Sequence, residues 1–452
     1  MAEMTRRQFL RRSSLAAATL AATPGAAYSQ VVGTGGGFSD YRALVCVFLF
    51  GGNDSFNMLV PRSDAEYAAY AQARQNLAIA KSDLLPISPA SAAGTQFGLH
   101  PSMAGVQSLF ESGAAALVAN VGPLIEPTTK AQFMNRSVRL PPQLFSHNDQ
   151  QDQWLALKGT TPGNTGWAGR MADLLQGVVA NQRMATNASL FGNNLMQAAQ
   201  ETVAYVMGPG GPLQFEGFST NPGDLLYEQR LAFQRIIEAD YGTVYERAFA
   251  EVQQRAIEAA DTVTAAIETA PPLTTVFPQS QLGQQLETVA KLIAVRDDLQ
   301  MQRQVFFVAA GGFDSHDRQN EEQPGLLGGI SNSIKAFYDA TVELGVADSV
   351  TSFTQSDFGR TLSSNGDGTD HAWGGNQLLV GDAVFGQRVY GEYPVLEIGA
   401  ERDVGGGRMI PTTSADQYAA TLAAWFGIDD ADLDKVAPNL GNFAVRDLGF
   451  MI

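Results

Sequence analysis

The stretch ALVCVFLF at residues 43–50, followed by GGND at residues 51–54, decides the fold of this chain. It is a continuous apolar run rich in β-forming residues, and it stops abruptly at two glycines. An uninterrupted apolar run of this length is typical of a central strand that is buried on both faces. Further buried strands are predicted at 115–121, 305–310 and 350–354, with helical patterns between them. Strands that alternate with helices predict an α/β fold with a mostly parallel sheet covered on both faces.

The composition favours one large domain. The chain has 452 residues, of which 45% are hydrophobic and 17% charged, so it can bury a substantial core. The stretch 223–304 has almost no strand signal, and we interpret it as a helical excursion of the same domain, which spans 43–452. A formal net charge of −17 argues against a basic face for nucleic acid or anionic lipid. The single cysteine, Cys46, excludes a disulfide framework and any cysteine-based metal site.

The N-terminus has the pattern of an export signal. Arg6 and Arg7 form a twin-arginine pair, an apolar run follows at 15–22, and small residues precede an expected cleavage site near Ala27. We therefore predict a signal peptide at 1–27, recognition by the bacterial twin-arginine export machinery, and a periplasmic or secreted protein. Its removal takes away a net charge of +3, which leaves the mature chain at −20. A loose Gly-rich segment is expected at 28–42, and no later apolar run is long enough to span a membrane.

Three predicted strands end on an aspartate. Asp54 follows the first strand, Asp314 follows VFFVAAGG, and Asp357 follows TSFTQ. A single aspartate at such a position is most often a turn or helix-capping residue. Ligands in open α/β sheets bind beyond the carboxyl ends of the strands, so three aspartates at equivalent ends predict a functional site.

Three of the four histidines support the same site. His316 lies two residues after Asp314, and His371 lies in a Gly-rich polar loop; His147 begins a polar helical stretch after a long loop. His100, in Leu-His-Pro, is interpreted as a structural residue at a helix entry. Carboxylate and imidazole groups without cysteine predict a divalent metal site, with Zn²⁺, Mn²⁺, Mg²⁺ and Ca²⁺ all open.

A hydroxyl nucleophile and an arginine are further candidates for catalysis. Ser146, at a predicted helix N-terminus beside His147, is the preferred nucleophile, and Thr128, Thr129 and Ser55 are weaker alternatives. Arg360 is placed to bind an anionic substrate oxygen, although a surface arginine that caps a loop explains the pattern equally well.

At these residues the sequence resembles a known family. The segments VFLFGGNDSFNMLVP, LHPSM, FSHNDQQDQW, GFDSHDRQ, SDFGRT and DHAWGGNQLLVG together resemble the bacterial family called domain of unknown function 1501, from about residue 40 onwards. That family is similar to the alkaline phosphatase superfamily, which includes sulfatases and metal-dependent phosphomutases. The resemblance implies a three-layer α/β/α sandwich with one or two divalent metals. The metal positions that it implies are Asp54, Asp314, His316, Asp357 and His371, with His147 as a further ligand by our own placement.

The chain departs from the superfamily pattern in two ways. The superfamily usually has Asp-His where this chain has Asp357-Phe358, and its middle aspartate and histidine are spaced more widely than Asp314 and His316. One metal is therefore easier to accommodate than two.

Two functions stay open from the sequence. The first is an exported metal-dependent hydrolase of small anionic esters, either phosphate or sulfate. The second is a non-catalytic binding or assembly protein that keeps the fold with a degraded metal site. A sulfatase in the strict sense is disfavoured, because the usual Cys or Ser within a Pro/Arg signature is absent and Cys46 lies inside a strand.

Overall fold

The computed structural model describes residues 37–90, 96–159, 163–181, 184–212, 219 and 221–452. The predicted signal peptide at 1–27 and most of the segment predicted to be loose lie outside these residues. The described part forms one compact unit, Gly37–Ile452. Its main sheet begins at Arg42, the last residue of the segment predicted to be loose.

A nine-stranded sheet organises the domain. Its strands run in the spatial order β11-β5-β10-β9-β1-β8-β6-β7, and β12 pairs with β5. Six of its eight strand pairings among the described residues are parallel, and only β10 runs antiparallel to its neighbours. The bounds are β1 (Arg42–Leu49), β5 (Ala115–Gly122), β6 (Asn187–Ser189), β7 (Tyr205–Val206), β8 (Arg303–Ala310), β9 (Val350–Ser356), β10 (Gly375–Val380), β11 (Val389–Tyr390) and β12 (Thr413–Ser414). The predicted mostly parallel sheet is confirmed.

A small antiparallel sheet lies apart from the main one. It consists of β2 (Leu59–Pro61), β3 (Leu85–Ile87) and β4 (Phe97–Leu99), with β4 in the middle. The helices are α1 (Ser55–Met58), α2 (Asp64–Arg74), α3 (Ala104–Glu111), α4 (Lys130–Asn135), α5 (His147–Ala156), α6 (Trp167–Leu175), α7 (Leu225–Ile237), α8 (Val244–Thr269), α9 (Gln281–Ala294), α10 (Gln319–Glu343), α11 (Ala415–Phe426) and α12 (Leu433–Val436). None of the helices in the described part is long and apolar enough to cross a bilayer.

The two faces of β1 explain the three layers. Its side chains alternate, so Val45, Val47 and Leu49 join one hydrophobic core while Leu44, Cys46 and Phe48 join another. Helices α3, α9 and α10 pack into the first core, and α6 and α11 pack into the second. The α/β/α arrangement is thereby confirmed.

The helical excursion predicted at 223–304 extends too far. Its last helix, α9, ends at Ala294, and β8 already begins at Arg303. Arg303 and Gln304 pair in parallel register with Arg42 and Ala43, so strand pairing extends β8 into polar residues that carry no strand signal of their own.

Asp416 in the first turn of α11 gives a pH-dependent stability. Burial raises its pKa to about 7, although hydrogen bonds from Asn439 oppose the rise. The native state therefore holds this proton more tightly than the unfolded chain. Its contribution to stability is complete below about pH 4 and is lost as the pH rises through 7. Asp416→Asn is expected to reduce the loss of unfolding free energy between about pH 4 and about pH 7, as measured by urea unfolding. The same loss in Asp416→Asn as in the wild type would contradict this, and exposed Asp298→Asn serves as the control.

Candidate metal centre

Three imidazoles converge on the carboxylate of Asp314, in the loop that follows β8. The Nε2 atoms of His316 and His371 lie 3.1 and 3.3 Å from Asp314 Oδ1. His147 Nε2 lies 3.5 Å from Oδ2 of the same carboxylate. The Asp314 side chain is 45% exposed, so the cluster is open to solvent.

The other ring nitrogen of each histidine faces an oxygen. His147 Nδ1 lies 2.7 Å from Asp357 Oδ2, His316 Nδ1 lies 3.3 Å from Asp370 Oδ1, and His371 Nδ1 lies 2.8 Å from the Phe145 carbonyl oxygen. A carbonyl oxygen only accepts, so His371 carries its proton on Nδ1 and presents the Nε2 lone pair to the cluster. This pattern, with Nδ1 held by an oxygen and Nε2 free, is the one found in metal-ligating histidines.

The donor set fits a divalent ion. His147, Asp314 and His371 each offer a ligand atom, and these atoms lie within 4.8 Å of one another. His316 Nε2 lies 2.8 Å from His371 Nε2, a spacing that sets two lone pairs against each other unless a cation or a proton lies between them. Imidazole-rich sites suit Zn²⁺ and other transition metals, whereas Mg²⁺ and Ca²⁺ prefer oxygen ligands.

Local charges keep the ligand groups in the forms that bind metal. Burial raises the pKa of Asp314, but the hydrogen bond and charge of Arg360 and the charges of His316 and His147 outweigh it, and the net pKa is lowered. Burial lowers the pKa of His371, with the charges of His147 and Arg360 acting in the same direction and the Phe145 hydrogen bond opposing. The carboxylate is therefore ionised and the imidazole neutral at neutral pH.

Asp357 contacts the ring nitrogen of His147 that faces away from the cluster. This fully buried aspartate follows β9, and its Oδ2 also accepts a hydrogen bond of 2.9 Å from Gln151, one turn further along α5. The sequence predicted Asp357 as a metal ligand. In the structure it contacts the nitrogen of His147 that points away from the cluster, so its contacts are those of a residue that orients a ligand.

Arg360 holds Asp314 in place. Its fully buried guanidinium donates from Nη1 to Asp314 Oδ1 at 2.7 Å and to the Gly51 carbonyl at 3.2 Å. Its Nε and Nη2 bond to the side chain and the carbonyl of Thr369. The burial contradicts the alternative of a surface arginine, and binding of a substrate oxygen by Arg360 stays a prediction.

Asp54 has a different set of partners from Asp314. It is 2% exposed, and its Oδ2 accepts hydrogen bonds from Arg74 and Gln319. Among the described residues, it belongs to no group of three or more His, Cys, Asp or Glu side chains that could hold an ion. The structure thus gathers Asp314 and three histidines, and it places Asp54 in an ion pair.

The match that decides the family covers most of the chain. Residues 41–433 match the family described as protein of unknown function (DUF1501). The chain belongs to the DUF1501 family. The family predicted from the sequence is thereby confirmed. No curated protein matches the sequence.

Solved structures resemble this DUF1501 chain only distantly. Ps i-CgsB in complex with k-i-k-neocarrahexaose is 9% identical, with a TM-score of 0.35 over 87% of this chain and 74% of that one. The lipoteichoic acid synthase LtaP from Listeria monocytogenes is 8% identical, with a TM-score of 0.33 over 87% and 73%. A 2-O GAG sulfatase is 9% identical, with a TM-score of 0.31 over 86% and 71%. Identities and TM-scores this low do not indicate an activity for this chain.

The hydroxyl candidates of the DUF1501 chain differ in their surroundings. Ser146 precedes α5, and its hydroxyl donates to Asp149 Oδ2 at 2.6 Å instead of capping the helix. Thr129 caps α4, and Thr128 donates to the Glu126 carbonyl. The remaining candidate, Ser55, is buried and accepts a hydrogen bond from the backbone of Asn376. Only Ser146 adjoins a histidine of the cluster.

His100 has the structural role predicted for it. Its Nδ1 accepts a hydrogen bond of 3.1 Å from the backbone of Ser102, shortly before α3. The side chain is buried, and burial lowers its pKa to about 4, so the ring is neutral.

The sequence did not reveal several contacts around the cluster. The Phe358 ring lies 4.8 Å from the His147 ring and 4.7 Å from the His371 ring. Gln151 was detectable, because an i, i+4 spacing from His147 places it on the same helix face. The carbonyl of Phe145 and the ion pair of Arg74 had no signal in the local sequence.

Gly52 is expected to be essential for the position of Phe358. A Cβ at Gly52 would lie 2.3 Å from Phe358 Cε2, and its φ of +87° is strained for any other residue. Gly52→Ala is therefore expected to lower stability and to weaken metal binding, because the displaced ring contacts two histidines. Gly113 is a matched control, since its φ is also +87° but nothing lies within 4 Å of its Cβ position. Gly113→Ala should cost only about 1–2 kcal/mol in urea unfolding. Equal effects in the two variants, or unchanged metal affinity in Gly52→Ala, would argue against this account.

Proposed function

We propose that this chain is an exported, metal-dependent hydrolase of small phosphate or sulfate esters. The observation that supports it most is the convergence of three histidine Nε2 atoms on Asp314, with each Nδ1 held by an oxygen. Structural histidines have no need for this shared orientation, whereas metal ligands require it. The cluster is also accessible, because Asp314, His316 and His371 are all partly exposed.

Each residue has a defined task in this proposal. His147, His316, His371 and Asp314 would hold the ion, for which Zn²⁺ or Mn²⁺ suits the donors best. A bound ion of this kind polarises an ester oxygen or lowers the pKa of water. Asp357, Asp370 and the Phe145 carbonyl orient the imidazoles. Arg360 fixes Asp314 and keeps it ionised.

Ser146 is the proposed nucleophile. Its hydroxyl hydrogen bond to Asp149 provides a carboxylate that can accept the proton as Ser146 Oγ attacks the phosphorus or sulfur atom. The ester alcohol would then leave, and water would release the phosphate or sulfate from the serine. Ser146→Ala should lower kcat by more than about 100-fold and leave metal content unchanged. Retained kcat would remove Ser146 from the mechanism and favour attack by water.

A substrate screen tests the proposed activity. Protein stripped with a chelator and reloaded with Zn²⁺, Mn²⁺ or Mg²⁺ would be assayed against phosphate monoesters, phosphate diesters and sulfate esters. We expect metal-dependent hydrolysis of at least one class, lost in His371→Ala and retained in the control Asp298→Ala, whose side chain is exposed. Hydrolysis that persists in His371→Ala would show that the activity arises elsewhere.

A non-catalytic binding or assembly protein is the second candidate. The observations that favour it are the ion pair of Asp54 with Arg74 and the phenylalanine at 358, which together remove two positions expected of a complete site. A protein that binds one ion stoichiometrically but hydrolyses no ester of any class would support this second candidate.

Export is part of the proposal. Its support is the pattern at 1–27, with Arg6 and Arg7 before an apolar run. Changing both arginines to lysine should retain the protein in the cytoplasm, as fractionation would measure, whereas the wild type should reach the periplasm with its N-terminus near Tyr28.

A further inference from the structure

The resemblance implies a metal ligand at Asp54, but the surroundings of this residue do not fit an ion. Asp54 lies between β1 and α1 and is buried. Its Oδ2 accepts hydrogen bonds from Arg74 Nη2 and Gln319 Nε2, and its backbone carbonyl accepts one of 3.0 Å from Gln323 Nε2. All three neighbours are N–H donors, whereas a divalent ion needs electron-pair donors around it.

Arg74 is a fixed cation. It is the last residue of α2, its side chain is fully buried, and its Nη1 donates to the Thr361 carbonyl at 2.9 Å. A second contact of 3.5 Å reaches the Leu362 carbonyl. The guanidinium is thus anchored to the segment after β9 as well as to Asp54. A divalent ion at Asp54 would lie against this positive charge, which disfavours its binding.

A hydrogen-bonded path joins this ion pair to the histidine cluster. Gln319 donates to Asp54 and accepts at Oε1 a hydrogen bond of 2.7 Å from the Thr369 hydroxyl. That hydroxyl in turn accepts from Arg360, which binds Asp314. The Gln319 oxygen therefore points away from Asp54 and is not available there as a ligand. Each of the two aspartates has its own buried guanidinium, and among the described residues three imidazoles also face the carboxylate of Asp314.

From this geometry we infer that Arg74 takes the place of a second metal ion at Asp54, so that the chain binds one divalent ion and not two. The inference deepens the proposed function and rests on it, because the proposed function places the one bound ion at Asp314. It assigns Arg74 and Gln319 as positioning residues that hold Asp54 without metal.

Counting bound ions tests the inference. Native mass spectrometry and elemental analysis would be applied to the wild type, Asp54→Asn and Asp314→Ala after loading with Zn²⁺, Mn²⁺ or Mg²⁺ in turn. We expect one ion per chain in the wild type and in Asp54→Asn, and none in Asp314→Ala. The rise in thermal midpoint on metal addition should also be equal in the wild type and Asp54→Asn.

Other outcomes separate the inference from the proposed function. Asp54 Oδ1 is buried and has no hydrogen-bond partner among the described residues, so an ion at that oxygen is the competing possibility. Two ions in the wild type, with one lost in Asp54→Asn, would overturn the inference and leave the proposed function standing. No ion in the wild type would contradict the proposed function and, with it, the count of one ion per chain. If Asp54→Asn fails to fold, Arg74→Lys keeps the charge and should retain one ion, and two ions in that variant would again overturn the inference.

Discussion

Replacing Asp314 with alanine is expected to abolish stoichiometric metal binding. Its carboxylate is the group on which all three histidines converge, at 3.1 to 3.5 Å. Without it the imidazoles lose the negatively charged partner that faces their Nε2 atoms in the described part of the chain. We expect the affinity for Zn²⁺ to fall by more than about 100-fold, since even the loss of a group that only orients a ligand costs about 10–100-fold. Isothermal titration calorimetry on chelator-stripped protein measures this directly.

A second readout of the same variant is thermal stability. In the wild type, an ion that binds only the native state at about 100 times its Kd adds about 2.7 kcal/mol to the free energy of unfolding. The metal-dependent rise of the thermal midpoint should vanish in Asp314→Ala. Asp370→Ala provides a graded comparison. Of the clustered groups Asp370 bonds to the Nδ1 of His316, and its Oδ1 also accepts a hydrogen bond from Asn365. The affinity of this variant for Zn²⁺ should fall by about 10–100-fold. Equal affinities for wild type and Asp314→Ala would place the ion elsewhere.

The sequence predicts which strands and residues form the site better than it predicts which side chains contact one another. The strands that end at Asp54, Asp314 and Asp357 are recognisable because a buried parallel strand is a continuous apolar run. Parallel strands bring their carboxyl ends to one edge of the sheet, so a polar cluster there was predictable. The structure confirms that Asp314 and His371 meet there.

The roles of the three aspartates were not predictable from their equivalent positions. Asp314 faces imidazole Nε2 atoms, Asp357 faces an Nδ1, and Asp54 faces a guanidinium. These differences depend on which side chain of another helix or loop lies beside each aspartate. Arg74 comes from the end of α2, and nothing in its local sequence distinguishes it from a surface arginine at a helix C-terminus.

The Asp54–Arg74 pair predicts a second large effect, this time on stability. Arg74→Met removes the guanidinium and leaves a buried carboxylate without its cation. Breaking a buried ion pair from one side costs about 3–5 kcal/mol, which urea unfolding measures as a lower midpoint. Arg318→Met is the surface control. Arg318 pairs with Glu321 and Glu322 at 60% exposure, and the loss of an exposed pair costs about 0–1 kcal/mol.

A double-mutant cycle separates the pair from simple loss of packing. Asp54→Asn in the Arg74→Met background removes the uncompensated charge while keeping an oxygen that Gln319 can reach. The double variant should therefore be at least about 1 kcal/mol more stable than Arg74→Met alone. Additive losses would mean that Asp54 is not charged against Arg74 in the native state. Recovery in the double variant, seen with and without a chelator, would establish that the counter-charge of Asp54 is a side chain of this protein and not an ion.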